Sequence, residues 1–150
     1  MGDLRISDLM HGGWHPGDLD TGLEPPRPTY QLWITVHQPL GIRIGRLGVF
    51  SFLPGRYIYT GSARRHLAAR LTRHLSRDKR LRWHIDYLLV SPGVVVTAIR
   101  SFDRPECEVN RATPGEIAVR GFGASDCRAR CGGHLKYLGR SETASSLDQA

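Results

Sequence analysis

One run of residues constrains the fold of this chain more than any other. It is Arg56-Tyr57-Ile58-Tyr59-Thr60, followed by Gly61-Ser62-Ala63 and then by the basic segment 64–82. The aromatic and β-branched residues fit a pleated, half-buried surface and predict a strand over 56–60. Gly61 to Ala63 supplies turn chemistry, with Ser62 a candidate N-cap for a helix from Arg64 to about Arg77. At about 100° per residue, Leu67, Ala68, Leu71 and Leu75 share one arc of that helix. His66, Arg70, Arg73, His74 and Arg77 fall on the neighbouring arc. The segment therefore predicts a helix that buries its leucines and presents a directed basic face.

That face concentrates the charge of the protein. The chain has 21 Lys and Arg against 14 Asp and Glu, a formal net charge of +7. Residues 64–82 hold Arg64, Arg65, Arg70, Arg73, Arg77, Lys79, Arg80 and Arg82 against Asp78 alone. Arginine forks match phosphate oxygens, and released counterions drive binding to a polyanion, so a nucleic acid is the expected partner. A solvated basic helix is the simpler alternative for a charge run taken by itself. No apolar run approaches the roughly 18 residues of a membrane span, and no basic-then-apolar signal opens the chain. The expectation is a cytoplasmic protein with no membrane partner. Three cysteines, an odd set, argue against a secreted disulfide framework.

The 150 residues fit one domain. Residues 1–28 contain Gly12-Gly13 and Pro25-Pro26-Arg27-Pro28 without periodicity and read as a flexible leader; residues 141–150 read as a disordered tail. Between them, 29–140 is the expected folded unit. Tyr30 to Val36 predicts a strand, Ile42 to Phe52 a further extended piece, and Leu81 to Leu89 a second helix carrying Trp83, His84, Asp86 and Tyr87. Val94 to Ile99 predicts a buried strand, and a third helix is expected near Pro105, with Asp103 as its cap. The order β-β-α-α-β-α is an α+β pattern.

Several motifs in this order resemble the GIY-YIG nuclease superfamily, and within it the Uri-type branch. They are Tyr30 opening a strand, Pro54-Gly55, Tyr57-Ile58-Tyr59-Thr60-Gly61-Ser62-Ala63, Arg70-Leu71-Thr72-Arg73-His74, Trp83-His84-Ile85-Asp86-Tyr87-Leu88-Leu89, Glu106-Cys107, and Gly121 to Cys127 running to His134-Leu135. The resemblance covers about residues 29–138. It implies a small three-stranded antiparallel sheet flanked by helices and cleavage of DNA with one divalent metal, Mg²⁺ or Mn²⁺. It implies Tyr30, Tyr59, Arg70, His74 and Glu106 as catalytic positions, with Glu106 on the metal. The first motif departs from the family pattern, reading Pro28-Thr29-Tyr30 instead of Gly-Ile-Tyr, and the second reads Tyr59-Thr60-Gly61 instead of Tyr-Ile-Gly.

The chemistry suits these residue types. Arg70 can give a phosphate two oriented N–H groups without losing its charge. Glu106 can hold a hard cation that tolerates a single carboxylate when water and phosphate oxygens complete its shell. A tyrosine beside both could have its phenol pKa lowered enough to take a proton from water, and Tyr30 and Tyr59 are equal candidates. Gly61, Ser62, His66, Arg73, Arg77 and Arg80 are the expected nucleic-acid contacts. Taken singly, without the motif, the tyrosines read first as ordinary strand aromatics, and the simpler alternatives are Arg70 as a surface arginine and Glu106 as a first-turn helix carboxylate. A catalytically silent nucleic-acid-binding module, or a partner of a DNA-repair enzyme, is the alternative function.

Cys127, Cys131 and His134 have C-x3-C-x2-H spacing, with Cys107 a candidate fourth ligand from the preceding helix. Tetrahedral zinc takes such a Cys3His set. Buried thiols, with His134 turned to phosphate or water, are the other reading. His84 and Asp86 lie two apart and so point to different faces of a helix, with Asp86 placed to pair with nearby arginines. Gly121-Phe122-Gly123 reads as a turn. The sequence identifies no protein partner.

Overall fold

The computed structural model describes residues 3–5, 29–63, 66–124, 127 and 129–140. Along the chain run β1 (Asp3–Arg5), β2 (Thr29–Val36), β3 (Leu40–Ile44), β4 (Gly48–Phe52), β5 (Gly55–Ser62), α1 (Leu67–Leu75), α2 (His84–Leu89), β6 (Val94–Phe102), α3 (Glu106–Ala112), β7 (Glu116–Ile117) and β8 (Leu135–Gly139). Strands dominate this mixed α/β architecture. A five-stranded antiparallel sheet runs β6-β2-β5-β8-β7, and β1 adds a short sixth strand beside β6; β3 and β4 pair separately as a hairpin.

Alternation along the two central strands sorts the core. Tyr30, Leu32, Ile34 and Val36 of β2 share a face with Tyr57 and Tyr59 of β5, since Tyr30 pairs with Gly61, Leu32 with Tyr59 and Ile34 with Tyr57. That face packs with Leu67 and Leu71 of α1 and Ile85, Leu88 and Leu89 of α2 in one buried cluster. Each such side chain contributes about 1.5–3 kcal/mol on burial. The opposite face carries a buried polar cluster beside Trp33 and Ile58. Gln31 donates through Nε2 to Thr60 Oγ1 at 3.2 Å and to Thr113 Oγ1 at 2.7 Å, and Thr113 donates to the Val109 carbonyl at 2.7 Å. These bonds fasten the C-terminal end of α3 to the back of β2 and β5. The helices thus lie on both faces, and the end of β5 is flanked by α1 on one side and α3 on the other.

The expected strands at 30–36, 56–60 and 94–99 lie side by side as β2, β5 and β6, but the sheet is larger than three strands. Leu135–Gly139 extends it beyond β5, and the stretch 42–52 forms a hairpin of its own. The expected flexible leader contains the β1 strand, whose backbone pairs with 98–100; residues 1–2, 6–28 and the tail 141–150 lie outside the described residues. Helix α1 begins at Leu67, not Arg64, with His66 before it in the left-handed region at φ 58°. Ser62 is therefore not a cap but the last residue of β5. Helix α2 starts at His84, because the Asp86 carboxylate accepts from the backbone N–H groups of Arg82 and Trp83 at 2.9 and 2.8 Å and so defines the first turn there. Asp103 caps nothing; Pro105 stands at the start of α3.

Candidate active site and thiol cluster

The two motif tyrosines meet at the end of the sheet because one glycine leaves room for them. A Cβ on Gly61 would stand 2.7 Å from Tyr30 Oη and 3.0 Å from a Tyr59 ring carbon. Gly123, at φ 67°, presses on the opposite edge of Tyr59, where a Cβ would come within 3.0 Å. The rings lie 6.4 Å apart between centroids. Gly61, expected as a nucleic-acid contact, is first of all the space the tyrosine pair occupies.

Helix α1 delivers two more expected residues to this point. His74, placed by periodicity on the basic arc, is instead buried, 2 % exposed, with Nε2 2.7 Å from Tyr30 Oη. Its Nδ1 is buried with no partner. An orphaned N–H is rarer in proteins than an under-satisfied acceptor, so the imidazole proton belongs on Nε2 and donates to the phenol oxygen. Burial, aided by Lys79, lowers the His74 pKa to about 3, which keeps the ring neutral. Burial also pushes the Tyr30 phenol up from its ordinary value, against the charge and hydrogen-bonding guanidinium of Arg70, which pull it down. Tyr59 is likewise raised, by burial and then by Tyr30 and Glu106. The expected lowering of a tyrosine pKa is therefore reversed in the protein alone, because desolvation outweighs one arginine.

Arg70 donates through Nη1 to the Ser62 carbonyl at 2.7 Å and lies 4.6 Å over the Trp83 ring. From the other side of the sheet, α3 brings Glu106, whose Oε2 accepts from Ser62 Oγ at 3.4 Å and whose Oε1 lies 3.3 Å from His134 Nδ1. Ser62 thus stands between the arginine, on its carbonyl, and the carboxylate, on its hydroxyl. Tyr30, Tyr59, Arg70, His74 and Glu106, spread over 77 residues of chain, converge on the end of β5.

The remaining basic residues divide differently from the single basic face expected of them. Arg73 makes a bidentate pair with Asp86 at 2.8 Å for each bond, donates to the Arg80 carbonyl and lies 4.2 Å over Trp83. Asp86 is fully buried, and although burial alone would raise its carboxyl, the Arg73 bonds and two backbone N–H groups hold it below the ordinary 3.8. Lys79 donates to the Arg73 and His74 carbonyls at 3.1 and 2.9 Å, closing the C-terminus of α1. Every hydrogen bond of Arg73 thus lies within the fold. Arg77, exposed, reaches the Val94 carbonyl at 3.2 Å; His66 and Arg80 are exposed. Arg64 and Arg65 lie outside the described residues.

Beside Glu106 sits the cysteine cluster. One ligand atom each from Cys107, Cys127, Cys131 and His134 lie within 4.8 Å of one another, and the Cys107 and Cys127 sulfurs are 3.5 Å apart. All three thiols are free. Burial and the two neighbouring thiols push Cys107 up to about 12. Burial would raise Cys127 too, but hydrogen bonding from the Cys131 backbone, His134 and the other thiols brings it down to about 6. Burial would lower His134, yet Glu106 and the thiols hold it at about 9. Such a set of donors fits a metal ion, and zinc most naturally.

Three positioning residues carry no signal in charge or periodicity. Trp83 supplies the plane that holds Arg70 and Arg73. His84 accepts from the Gly123 backbone N–H at 2.9 Å through Nδ1 and so fixes the loop that clamps Tyr59. Phe122, fully buried, packs on both Tyr59 and His84, which makes Gly121-Phe122-Gly123 the expected turn with an anchored centre. No helix among the described residues is long and apolar enough to cross a membrane.

A family model described as "Domain of unknown function DUF123" matches residues 29–150, starting at the first residue of β2. No curated protein and no solved structure matches the chain.

Proposed function

The chain belongs to the DUF123 family, and from that premise we propose that it is a metal-dependent endonuclease of the GIY-YIG kind, hydrolysing phosphodiester bonds in DNA. The observation that carries this reading is the convergence of Tyr30, Tyr59, Arg70, His74 and Glu106 on the end of β5. A solvated basic helix gives no reason for a buried tyrosine–histidine pair beside an arginine, or for a carboxylate reaching the same strand end from the opposite face.

In this reading Arg70, held by the Ser62 carbonyl and the Trp83 ring, keeps further N–H groups for a phosphate and offsets the charge that grows on it in the transition state. Glu106, with a side chain 28 % exposed, fits a Mg²⁺ or Mn²⁺ ion, because a hard cation accepts one carboxylate oxygen and fills its shell with water and phosphate. When bound, the ion supplies Lewis acidity toward the phosphate. Tyr30 is the better general base of the two tyrosines. Its oxygen faces the His74 N–H and the Arg70 guanidinium, both of which favour a phenolate. His74 is then the residue that positions Tyr30, and the exposed His66, Arg77 and Arg80 flank the path of the nucleic acid.

The test is nicking of supercoiled plasmid and of branched DNA with Mg²⁺, Mn²⁺ or EDTA. Arg70→Ala is expected to lower the cleavage rate by about 10²–10³, the cost of removing one charge-stabilising donor. Glu106→Ala is expected to abolish metal-dependent cleavage, and Tyr30→Phe to cost more than Tyr59→Phe. Equal traces of cutting in all variants would mean contamination and overturn the enzyme. Salt-sensitive DNA binding without cleavage would instead identify a silent nucleic-acid-binding module, the second reading, which the raised phenols favour.

A further inference from the structure

The thiol cluster and the proposed catalytic carboxylate meet at one imidazole. His134 is 1 % exposed and faces both Cys127 and Cys131. Its Nδ1 lies 3.3 Å from Glu106 Oε1, while its Nε2 is buried without a hydrogen-bond partner. A histidine that ligates a metal almost always donates its other ring N–H to a carboxylate, a carbonyl or water, which fixes the tautomer and strengthens the ligand. Here that carboxylate is already in position. With the proton on Nδ1 and shared with Glu106, Nε2 is the ring nitrogen left with a free lone pair, and one ligand atom from each of His134 and the three cysteines falls within a single 4.8 Å set.

We propose that Cys107, Cys127, Cys131 and Nε2 of His134 bind one zinc ion, and that Glu106 is the outer partner that orients the histidine ligand. One carboxylate then serves two sites: Oε1 holds His134 for the zinc, and Oε2 accepts from the hydroxyl of Ser62, the residue whose carbonyl holds Arg70. The second role rests on the nuclease reading; the zinc centre and the first role do not.

Reduced, chelator-stripped protein titrated with Co²⁺ and then with Zn²⁺ tests this without any nuclease assay. The expected result is one cobalt per chain with the strong visible absorption of a tetrahedral thiolate site, displaced by one zinc. Glu106→Ala is expected to weaken zinc binding about 10- to 100-fold, and Glu106→Gln, which keeps an acceptor oxygen, to weaken it less. Circular dichroism checks that each variant is folded, and Glu106→Gln decides the matter if the alanine variant is not. Less than about 0.2 metal ion per chain in the wild type, or zinc affinity unchanged in the folded Glu106 variants, overturns the proposal. Glu106-dependent zinc binding in a chain that cuts no DNA upholds the zinc centre and removes the nuclease reading alone.

Discussion

Arg70 and Arg73 stand three residues apart on α1 and share the Trp83 ring, yet they end in opposite environments. Arg73 turns inward to a carboxylate that exposes nothing to solvent, and every bond it makes belongs to the fold. Arg70 spends one bond on a backbone carbonyl and faces the tyrosine pair. The sequence presents them as equivalent members of one basic face. Their difference teaches that part of the charge run is internal scaffolding, built around Asp86, and that the part left for a ligand is smaller than the net charge suggests.

The largest effect is expected at Arg73. Arg73→Ala strands a buried carboxylate and is expected to cost about 3–5 kcal/mol in denaturant unfolding, whereas Arg70→Ala should cost under about 1 kcal/mol. Acid sharpens the contrast. Because the Asp86 carboxyl is held below 3.8 in the folded protein, its contribution is fully present above that pH and is lost as the pH falls through the depressed value. The Arg73→Ala penalty should therefore shrink in acid, while the small Arg70→Ala difference should not follow that titration. Next in size, Gly61→Ala drives a methyl into the Tyr30 hydroxyl and is expected to cost about 1–3 kcal/mol of stability. On the proposed nuclease reading it should also lower cleavage far beyond that loss, since the groups it displaces are those Arg70 faces. Smallest is Arg77→Ala, which forfeits one bond to a carbonyl, about 1 kcal/mol or less, and should lower the salt dependence of DNA binding by about one ion.

The parts of this architecture that could be read from sequence are those with strong local patterning. Strands β2, β5 and β6 announce themselves by aromatic and β-branched residues, and α1 by its leucines at helical spacing. Strand β8 does not, because Leu-Lys-Tyr-Leu-Gly lacks clean alternation and owes its pairing to the neighbouring β5. Ser62 misled because a serine before a helical run looks the same whether it caps the helix or ends the preceding strand. His74 misled for a related reason: helical spacing assigns a residue to an arc, and the arc facing Tyr30 is both basic and buried. At the site, the tyrosines, Arg70 and Glu106 were legible only as motifs in order. Trp83, His84 and Gly123 act through contacts between distant segments that no spacing records. Asp86 was legible as an arginine partner, though not as the organiser of two helices.

The placement of β8 beside β5 has a consequence for how the protein is made. The Thr60 N–H bonds to the His134 carbonyl at 3.0 Å, and Tyr59 pairs with Leu135. The strand that carries the central tyrosine is thus completed by residues synthesised some 75 positions later, a contact that topology makes slow and that a growing chain cannot form early. The same late segment brings His134 to Glu106. A ribosome-bound chain ending before this point has Tyr30, Tyr59, Arg70 and Glu106 but neither the strand that flanks β5 nor the histidine beside Glu106, so the surroundings of the cluster and the sheet are completed together.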